Sequence, residues 1–428
     1  MHALPSQPVL APAAEFLRRK YLGSRGFFGT KAPSRKALRY PRGTCVQRDR
    51  LTLLASTGSA QASTQPDMKC ILAKSFGQPE EALAISDEYP RPRLEPGSAK
   101  ALVKVHACSL SPGDWRTLSG SVDLVRKPPF PYIPCYDICG TVEEVDGAAA
   151  NKFKVGDVVV ATWDFAALGG LAEYALVDPS MAVLKPRNVT HVEAAALANS
   201  ASHALLSVQA ADVKSGDRVL VLGGSGAVGT VAVQLAKKRG ASFVACTSTD
   251  HALARTLGVD QVINYRKQAW WKDSGFVAKP LDVIIDCAEG LPAWQHAIGS
   301  GVLKSGAKGG RFLALTMANP NQHFKKWWQM VGWISGVLWR LVWTRVAFLF
   351  VPKFVPKLSS ATTETLSEIL ALAEAGELKT VLDPSSPFPF TLQGVISAFQ
   401  LQAKTHSQPE SDEHPAGPHG KIVVQICS

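Results

Sequence analysis

The residues best spaced for chemistry are the glycines of Val219-Leu-Val-Leu-Gly-Gly-Ser-Gly-Ala-Val-Gly229. Gly224, Gly226 and Gly229 satisfy G-x-G-x-x-G, and Gly223, Gly226 and Gly229 satisfy G-x-x-G-x-x-G. They lie between an apolar strand-like run and a helical run over 230–239. In that setting glycine permits a tight turn, lets backbone N–H groups approach a pyrophosphate, and allows close helix–strand packing. The helix N-terminus adds positive partial charge. Gly223, Gly224, Ser225, Gly226, Ala227, Val228 and Gly229 are therefore candidate dinucleotide-binding residues, a Gly-rich structural turn being the alternative. An NAD site places Asp or Glu about 20 residues further on, at the ribose 2′-hydroxyl. Here the next strand ends Ala245-Cys-Thr-Ser-Thr249 with no carboxylate at its tip, and Asp250 just beyond reads as a cap or turn residue. Hydroxyls of Thr247 and Ser248, with Arg255 on the following helix, suit a 2′-phosphate. The expected cofactor is NADPH.

These residues need a scaffold. From residue 218 onward, apolar strand-like runs at 218–222, 242–246, 261–264, 283–286 and 312–316 alternate with helical stretches. Such alternation builds a parallel, doubly wound sheet. Before residue 190 the chain reads as β-rich, with short strands at 100–107, 140–145 and 155–160 punctuated by Gly and Pro. An Ala-rich helix over 191–209 leads from one texture to the other. A helix over 362–375 follows the sheet, and 421–427 returns to strand character.

The chain has 428 residues, 46% of them hydrophobic and 19% charged, which suits two or three domains and excludes wholesale disorder, collagen and a pure coiled coil. Its net charge of +11 suggests a nucleic-acid binder until it is divided along the chain. Residues 1–66 hold 11 Lys/Arg against 2 Asp/Glu, leaving 35 against 33 for the remainder, so the body is nearly neutral and no nucleic-acid partner is expected. An Arg- and Ser-rich, acid-poor leader without an apolar h-region reads as an organelle transit peptide over 1–67, with a disordered cytosolic tail as the alternative. Ser, Thr and Ala over 56–64 favour the chloroplast over the mitochondrion. The eight Cys contain no Cys-x-x-Cys and fit free thiols of a reducing compartment.

Over 68–428 the sequence resembles the zinc-free quinone oxidoreductase branch of the medium-chain dehydrogenase/reductase superfamily, and its layout is similar to that of organellar reticulon-interacting relatives. Beside the glycine turn, the matching stretches are Leu110-Ser-Pro-Gly-Asp-Trp115, Pro131-Tyr-Ile-Pro-Cys-Tyr-Asp-Ile-Cys-Gly140, Phe153-Lys-Val-Gly-Asp157, Leu171-Ala-Glu-Tyr174 and Leu257-Gly-Val-Asp-Gln-Val-Ile-Asn-Tyr265. The resemblance implies an α/β protein, a GroES-like β domain in two pieces (68–198 and 353–428) around a Rossmann domain (199–352), with the active site between them. It also implies that Tyr265 and the loop at Thr247 and Ser248 flank the adenosine end. Ala288 to Gly290, with Leu315 and Thr316, would then approach the nicotinamide.

Zinc-dependent relatives carry Cys, a His-Glu pair and a second Cys or His at the catalytic metal. Here those positions hold Ser111, Tyr136-Asp137 and the stretch 199–202, which lacks a thiol, and the four-Cys lobe is absent. Neutral hydroxyls do not replace thiolate and imidazole on Zn²⁺, so no metal is expected. Two departures from the branch stand out: Ser111 where relatives commonly have Asn, and His203 where they commonly have Thr near the nicotinamide. His203 reads equally as a packing residue or as a group titrating in the useful range. Tyr136, His203 and Ser111 are the candidate catalytic residues.

Residues 324–351 hold five of the ten Trp, from Trp327 to Trp343, and Arg340 and Arg345 interrupt the apolar run. The end of the run matches the family's last Rossmann strand, which argues against a membrane span. The remaining readings are a peripheral membrane face and a helix packed at a homodimer contact or over the cleft. The expected function is NADPH-dependent, zinc-independent hydride transfer to a quinone or an α,β-unsaturated carbonyl (an enone or enal). A non-catalytic NADPH-binding scaffold at an organelle membrane is the alternative.

Overall fold

The computed structural model describes residues 67–123, 127–162, 169–315, 326–357, 360–404 and 417–427. The leader, Cys45 and Thr316 lie outside the described residues.

Strand–helix alternation produces the parallel sheet that the sequence pattern predicts. Its strands are β8 (Arg218–Leu222), β9 (Phe243–Thr247), β10 (Gln261–Ile263), β11 (Val283–Asp286), β12 (Arg311–Ala314) and β13 (Lys353–Pro356). They lie in the order β10-β9-β8-β11-β12-β13, every neighbouring pair parallel. The chain starts at the middle, winds outward to β10, then returns to add β11 on the other side of β8. That reversal opens a crevice at the carboxyl ends of β8 and β11, where such sheets bind ligands. Because the strands are covered on both faces, they are continuously apolar: Val219, Leu220, Val221 and Leu222 are all buried.

The second sheet is built from β3 (Ala101–Leu110), β4 (Asp137–Val145), β5 (Val158–Thr162), β7 (Ala182–Leu184), β14 (Phe388–Pro389) and β15 (Ile422–Gln425), with β6 (Tyr174–Val177) pairing β3. Its β3–β4, β4–β5 and β3–β15 pairs are antiparallel. Residues more than 300 apart in the chain thus share one sheet, as the two-piece GroES-like expectation requires. β1 (Asp67–Ala73) and β2 (Leu83–Pro90) form a separate hairpin pair.

The helix His191–Ala210 joins the two sheets. A capping box starts it: Thr190 Oγ1 accepts from Glu193 N–H at 3.2 Å, and Glu193 Oε2 accepts from Thr190 N–H at 3.0 Å. Alanine on several sides lets it sit against β3, β4, β5 and β15 and also against the helices Gly229–Lys238 and Thr363–Glu374. The expected domain boundary between 198 and 199 therefore falls inside one continuous helix.

Two further expectations are corrected. β13 belongs to the parallel sheet, so the Rossmann part continues past 352. The aromatic segment does not end as that strand: Trp327–Val346 is a helix, and β13 begins at Lys353. Its inner side buries Val337 and Thr344, and Trp333, Leu341 and Trp343 pack partly against the cluster of Trp294, Phe312 and Phe354. Its outer side leaves Trp327, Trp328, Leu338 and Trp339 exposed. Each forgoes part of the ~1.5–3 kcal/mol that full burial of a large apolar side chain contributes.

Candidate active site

The glycine turn sits where β8 meets the helix Gly229–Lys238. Each glycine answers a different steric demand. Gly223 has φ +77°, a left-handed conformation, and a Cβ there would lie 2.9 Å from Ala288 Cβ. A Cβ on Gly224 would lie 2.3 Å from Cys246 Cβ, and one on Gly229 only 2.0 Å from Gly223 O. Gly226 differs: a Cβ there would meet nothing nearer than Gly223 O at 3.4 Å. Gly226, Ala227 and Val228 form the half-buried tip of the turn, while Gly224, Ser225 and Gly229 are buried. The turn is thus a cradle whose inner glycines hold its shape and whose tip is open to a pyrophosphate.

The next strand secures the cradle. Thr247 Oγ1 accepts from Gly223 N–H at 2.8 Å, and Thr247 O accepts from Gly224 N–H at 2.9 Å. Thr247 is buried, so its hydroxyl shapes the turn instead of facing a 2′-phosphate as the sequence suggested. Ser248 is likewise committed, accepting from Asp250 N–H at 2.9 Å and donating to Asp250 O at 3.1 Å. Asp250 caps the helix His251–Thr256 by accepting from Leu253 N–H at 2.9 Å. Arg255 stands exposed on that helix, and Tyr265 is 43% exposed beyond β10. Sequence reading missed His419, which arrives from the C-terminal segment with Nε2 3.4 Å from Thr249 Oγ1. Its neighbour Gly420 donates N–H to Ser225 O at 2.8 Å and so clamps the turn from the other sheet.

On the other side of the crevice, Asp286 ends β11 fully buried. Its carboxylate accepts N–H bonds from Ala288 (3.0 Å), Glu289 (2.8 Å) and Gly290 (2.7 Å). Burial, opposed by those bonds, pushes its pKa up to about 7. Ala288 is thereby held against Gly223, and Leu315 N–H donates to Asp286 O at 3.1 Å. Next in line comes Lys357, just past β13, whose N–H donates to Ala314 O at 3.0 Å.

Lys357 is the residue that sequence reading missed most plainly. Its Nζ contacts His203 Nδ1, although the two are 154 residues apart. Burial lowers the Lys357 ammonium to about 8. Burial, followed by the nearby Lys357 and Lys421 charges, drives His203 down to about 3. The expectation that His203 titrates in the useful range is therefore corrected: it is a neutral imidazole at physiological pH. With Lys357 donating to Nδ1, the neutral ring carries its proton on Nε2.

Ser111 and Tyr136 belong to another cluster. Tyr136 OH contacts Ser111 Oγ, and Ser111 donates from Oγ (2.9 Å) and N–H (2.7 Å) to Asp114 Oδ2. With the Ser111 hydroxyl proton directed at Asp114 Oδ2, the Tyr136 hydroxyl is left to donate to Ser111. Burial holds the Tyr136 phenol well above its ordinary range and lifts Asp114 to about 7. Deeper in, Lys421 Nζ donates to Ser200 Oγ at 2.8 Å and pairs with Asp137 at 3.5 Å, both ions being buried. Thr162 Oγ1 also donates to Asp137 at 2.6 Å. Ser200 is one turn before His203, so this ion pair ties the GroES-like sheet to the helix that carries the imidazole.

The positions of the zinc ligands thus hold Ser111, Tyr136 and serines bonded within the protein. Among the described residues, no three His, Cys, Asp or Glu side chains are grouped to hold a metal ion. The seven described cysteines are free thiols.

A GroES-like sheet joined to a parallel dinucleotide-type sheet, with a glycine cradle at the switch point, defines a class of two-domain oxidoreductases. Residues 97–187 match the alcohol dehydrogenase GroES-like domain, and residues 257–408 match the family described as zinc-binding dehydrogenase. The chain is 31% identical, over 68% of its length and 84% of the relative's, to a chloroplast envelope quinone oxidoreductase homolog of Arabidopsis thaliana. It is 29% identical, over 92% of both chains, to the chloroplastic NADPH-dependent alkenal/one oxidoreductase of the same plant. The solved quinone oxidoreductase of Coxiella burnetii superposes with a TM-score of 0.63 at 25% identity, covering 84% of this chain and 99% of that one. The chain belongs to the quinone oxidoreductase branch of the medium-chain dehydrogenase/reductase superfamily, and is an oxidoreductase of that family.

Proposed function

We propose that this protein is a zinc-independent, NADPH-dependent reductase of quinones or α,β-unsaturated carbonyls. The observation that carries the reading is the line of groups along the carboxyl edge of the parallel sheet. Tyr265 and Arg255 lie at one end, the cradle from Gly223 to Gly229 at the middle, Ala288 and Leu315 beyond it, and the Lys357–His203 pair at the far end. NADPH bound along that edge supplies the hydride. The protein's own part is to orient the acceptor, exclude water and stabilise the oxygen on which charge develops. His203 Nε2–H donates to that oxygen. As the O–H bond forms, the N–H bond breaks, Nδ1 takes a proton from Lys357 Nζ, and solvent restores the ammonium. Tyr136 and Ser111, closed on Asp114, shape the facing wall.

A screen of NADPH oxidation against quinones, enones and enals tests the reading. Binding of NADPH without turnover of any acceptor would instead favour the scaffold alternative. Arg255, exposed beside the adenosine end, is the cation proposed for the 2′-phosphate. Arg255→Ala should raise the Kd for NADPH roughly tenfold, in line with loss of one charge-assisted hydrogen bond, and leave that for NADH unchanged. Equal affinities of the wild type for the two cofactors in a calorimetric titration would refute the NADPH assignment.

Chelators should leave activity and Tm unchanged; one zinc per chain by elemental analysis would overturn metal independence. The organellar relatives and the basic leader together support an organellar location, with the chloroplast favoured. A mature N-terminus between Ser56 and Met68 is the expected result of sequencing the native protein, and an intact Met1 would contradict it.

A further inference from the structure

We propose that the outward face of the helix Trp327–Val346, with Phe348, Leu349 and Phe350, docks this protein onto an anionic lipid surface. A helix lying on a globular protein normally turns its polar side to water. This one is inverted. Positions 327, 331, 334, 338, 342 and 346 recur at helical spacing on the solvent side, and all are Trp, Val, Ile or Leu. Trp339 is 64% exposed, Val346 78% and Phe350 84%. Eleven of the sixteen large hydrophobic side chains that stand exposed among the described residues fall between Trp327 and Phe350. A continuous apolar face of this kind marks an interaction site.

Charge identifies the occupant. Between Glu289 and Glu364 the chain has nine Lys or Arg and no Asp or Glu. Lys304 and Arg311 are neutralised by Asp282 and Asp217. Lys308, Lys326 and Arg345 are exposed around the apolar face and make no ion pair among the described residues. Lys326 lies over the Trp328 ring, 4.9 Å from its centroid. A two-fold contact would bring Lys326 and Arg345 toward the same basic face of a second copy, with no Asp or Glu from 290 to 363 to pair them. A bilayer bearing anionic headgroups offers the opposite charge, and Trp with flanking Lys and Arg suits the headgroup boundary. No helix among the described residues is long and apolar enough to cross a membrane, so the helix lies in the surface plane.

The full chain should co-sediment with mixed phosphatidylcholine–phosphatidylglycerol vesicles, be released by salt, and not bind pure phosphatidylcholine vesicles. Brominated lipid in the mixed vesicles should quench its Trp emission. The basic leader contains no Trp, so leader binding alone would leave the emission unchanged. The double substitution Leu338→Ser/Trp339→Ser should lower vesicle partitioning by roughly tenfold or more, and reduce quenching, with Tm unchanged because both side chains are exposed. Absence of quenching in the wild type, or wild-type partitioning of the double variant, would overturn the proposal. So would a dimer, seen by light scattering, that these substitutions dissociate without any vesicle binding.

Discussion

Lys357→Met is expected to lower kcat by ~10²–10⁴-fold, the usual contribution of a positioned general acid, while the Kd for NADPH stays at its wild-type value. The split follows from position: Lys357 lies beyond the last strand of the parallel sheet and touches His203, with the glycine cradle several strands away. In the proposed relay Lys357 acts in its protonated form, and burial lowers it to about 8. Wild-type kcat should therefore fall as pH rises through about 8, and the Met variant should lack that limb. His203, neutral down to about 3, adds no limb near neutrality. His203→Thr should cost kcat on the same scale, because in the proposed relay the acceptor oxygen loses its donor. If kcat survives that change and acceptor preference drifts, His203 only shapes the pocket. A Lys357→Met enzyme with wild-type kcat and an intact limb would eliminate proton delivery by this pair.

Gly226→Ala should weaken NADPH binding by roughly 10- to 100-fold, as expected for losing one or two hydrogen bonds to a charged group, with no change in Tm. The new Cβ would make only ordinary contact, 3.4 Å from Gly223 O, so the apo fold tolerates it. What it would remove is the close approach of backbone to pyrophosphate on which the proposed cofactor site depends. Gly229→Ala is the contrasting control. There the Cβ would stand 2.0 Å from Gly223 O, so the turn must open and both Tm and cofactor binding should drop. Thermal melts with and without NADPH separate the two. Equal NADPH affinity of Gly226→Ala and wild type would move the pyrophosphate away from this turn.

Much of the scaffold follows from sequence because its causes are local. The runs at 218–222 and 283–286 are strands as bounded, since continuous apolar residues between turn signals suit a sheet covered on both faces. The cradle follows from glycine spacing, and the helix from residue 191 from its capping box and alanines. The absence of ligand-type residues at Ser111, Tyr136 and 199–202 is likewise a matter of residue type alone.

Tertiary structure decided the rest, through contacts that no spacing rule reaches. Thr247 reads as a phosphate ligand in sequence, but burial turns its hydroxyl onto Gly223 N–H. Lys357 lies in an ordinary strand-end segment until the fold sets it against His203; Lys421 and Asp137 meet across 284 residues. The titration of His203 could not come from its chemistry either, because desolvation and two neighbouring ammonium groups set it, and all three arise only when the sheets close on the helix between them. The Trp-rich run shows its character for the same reason. Composition made it apolar, but only packing against Phe312 and Phe354 determined which face turns inward and which is left to meet something else.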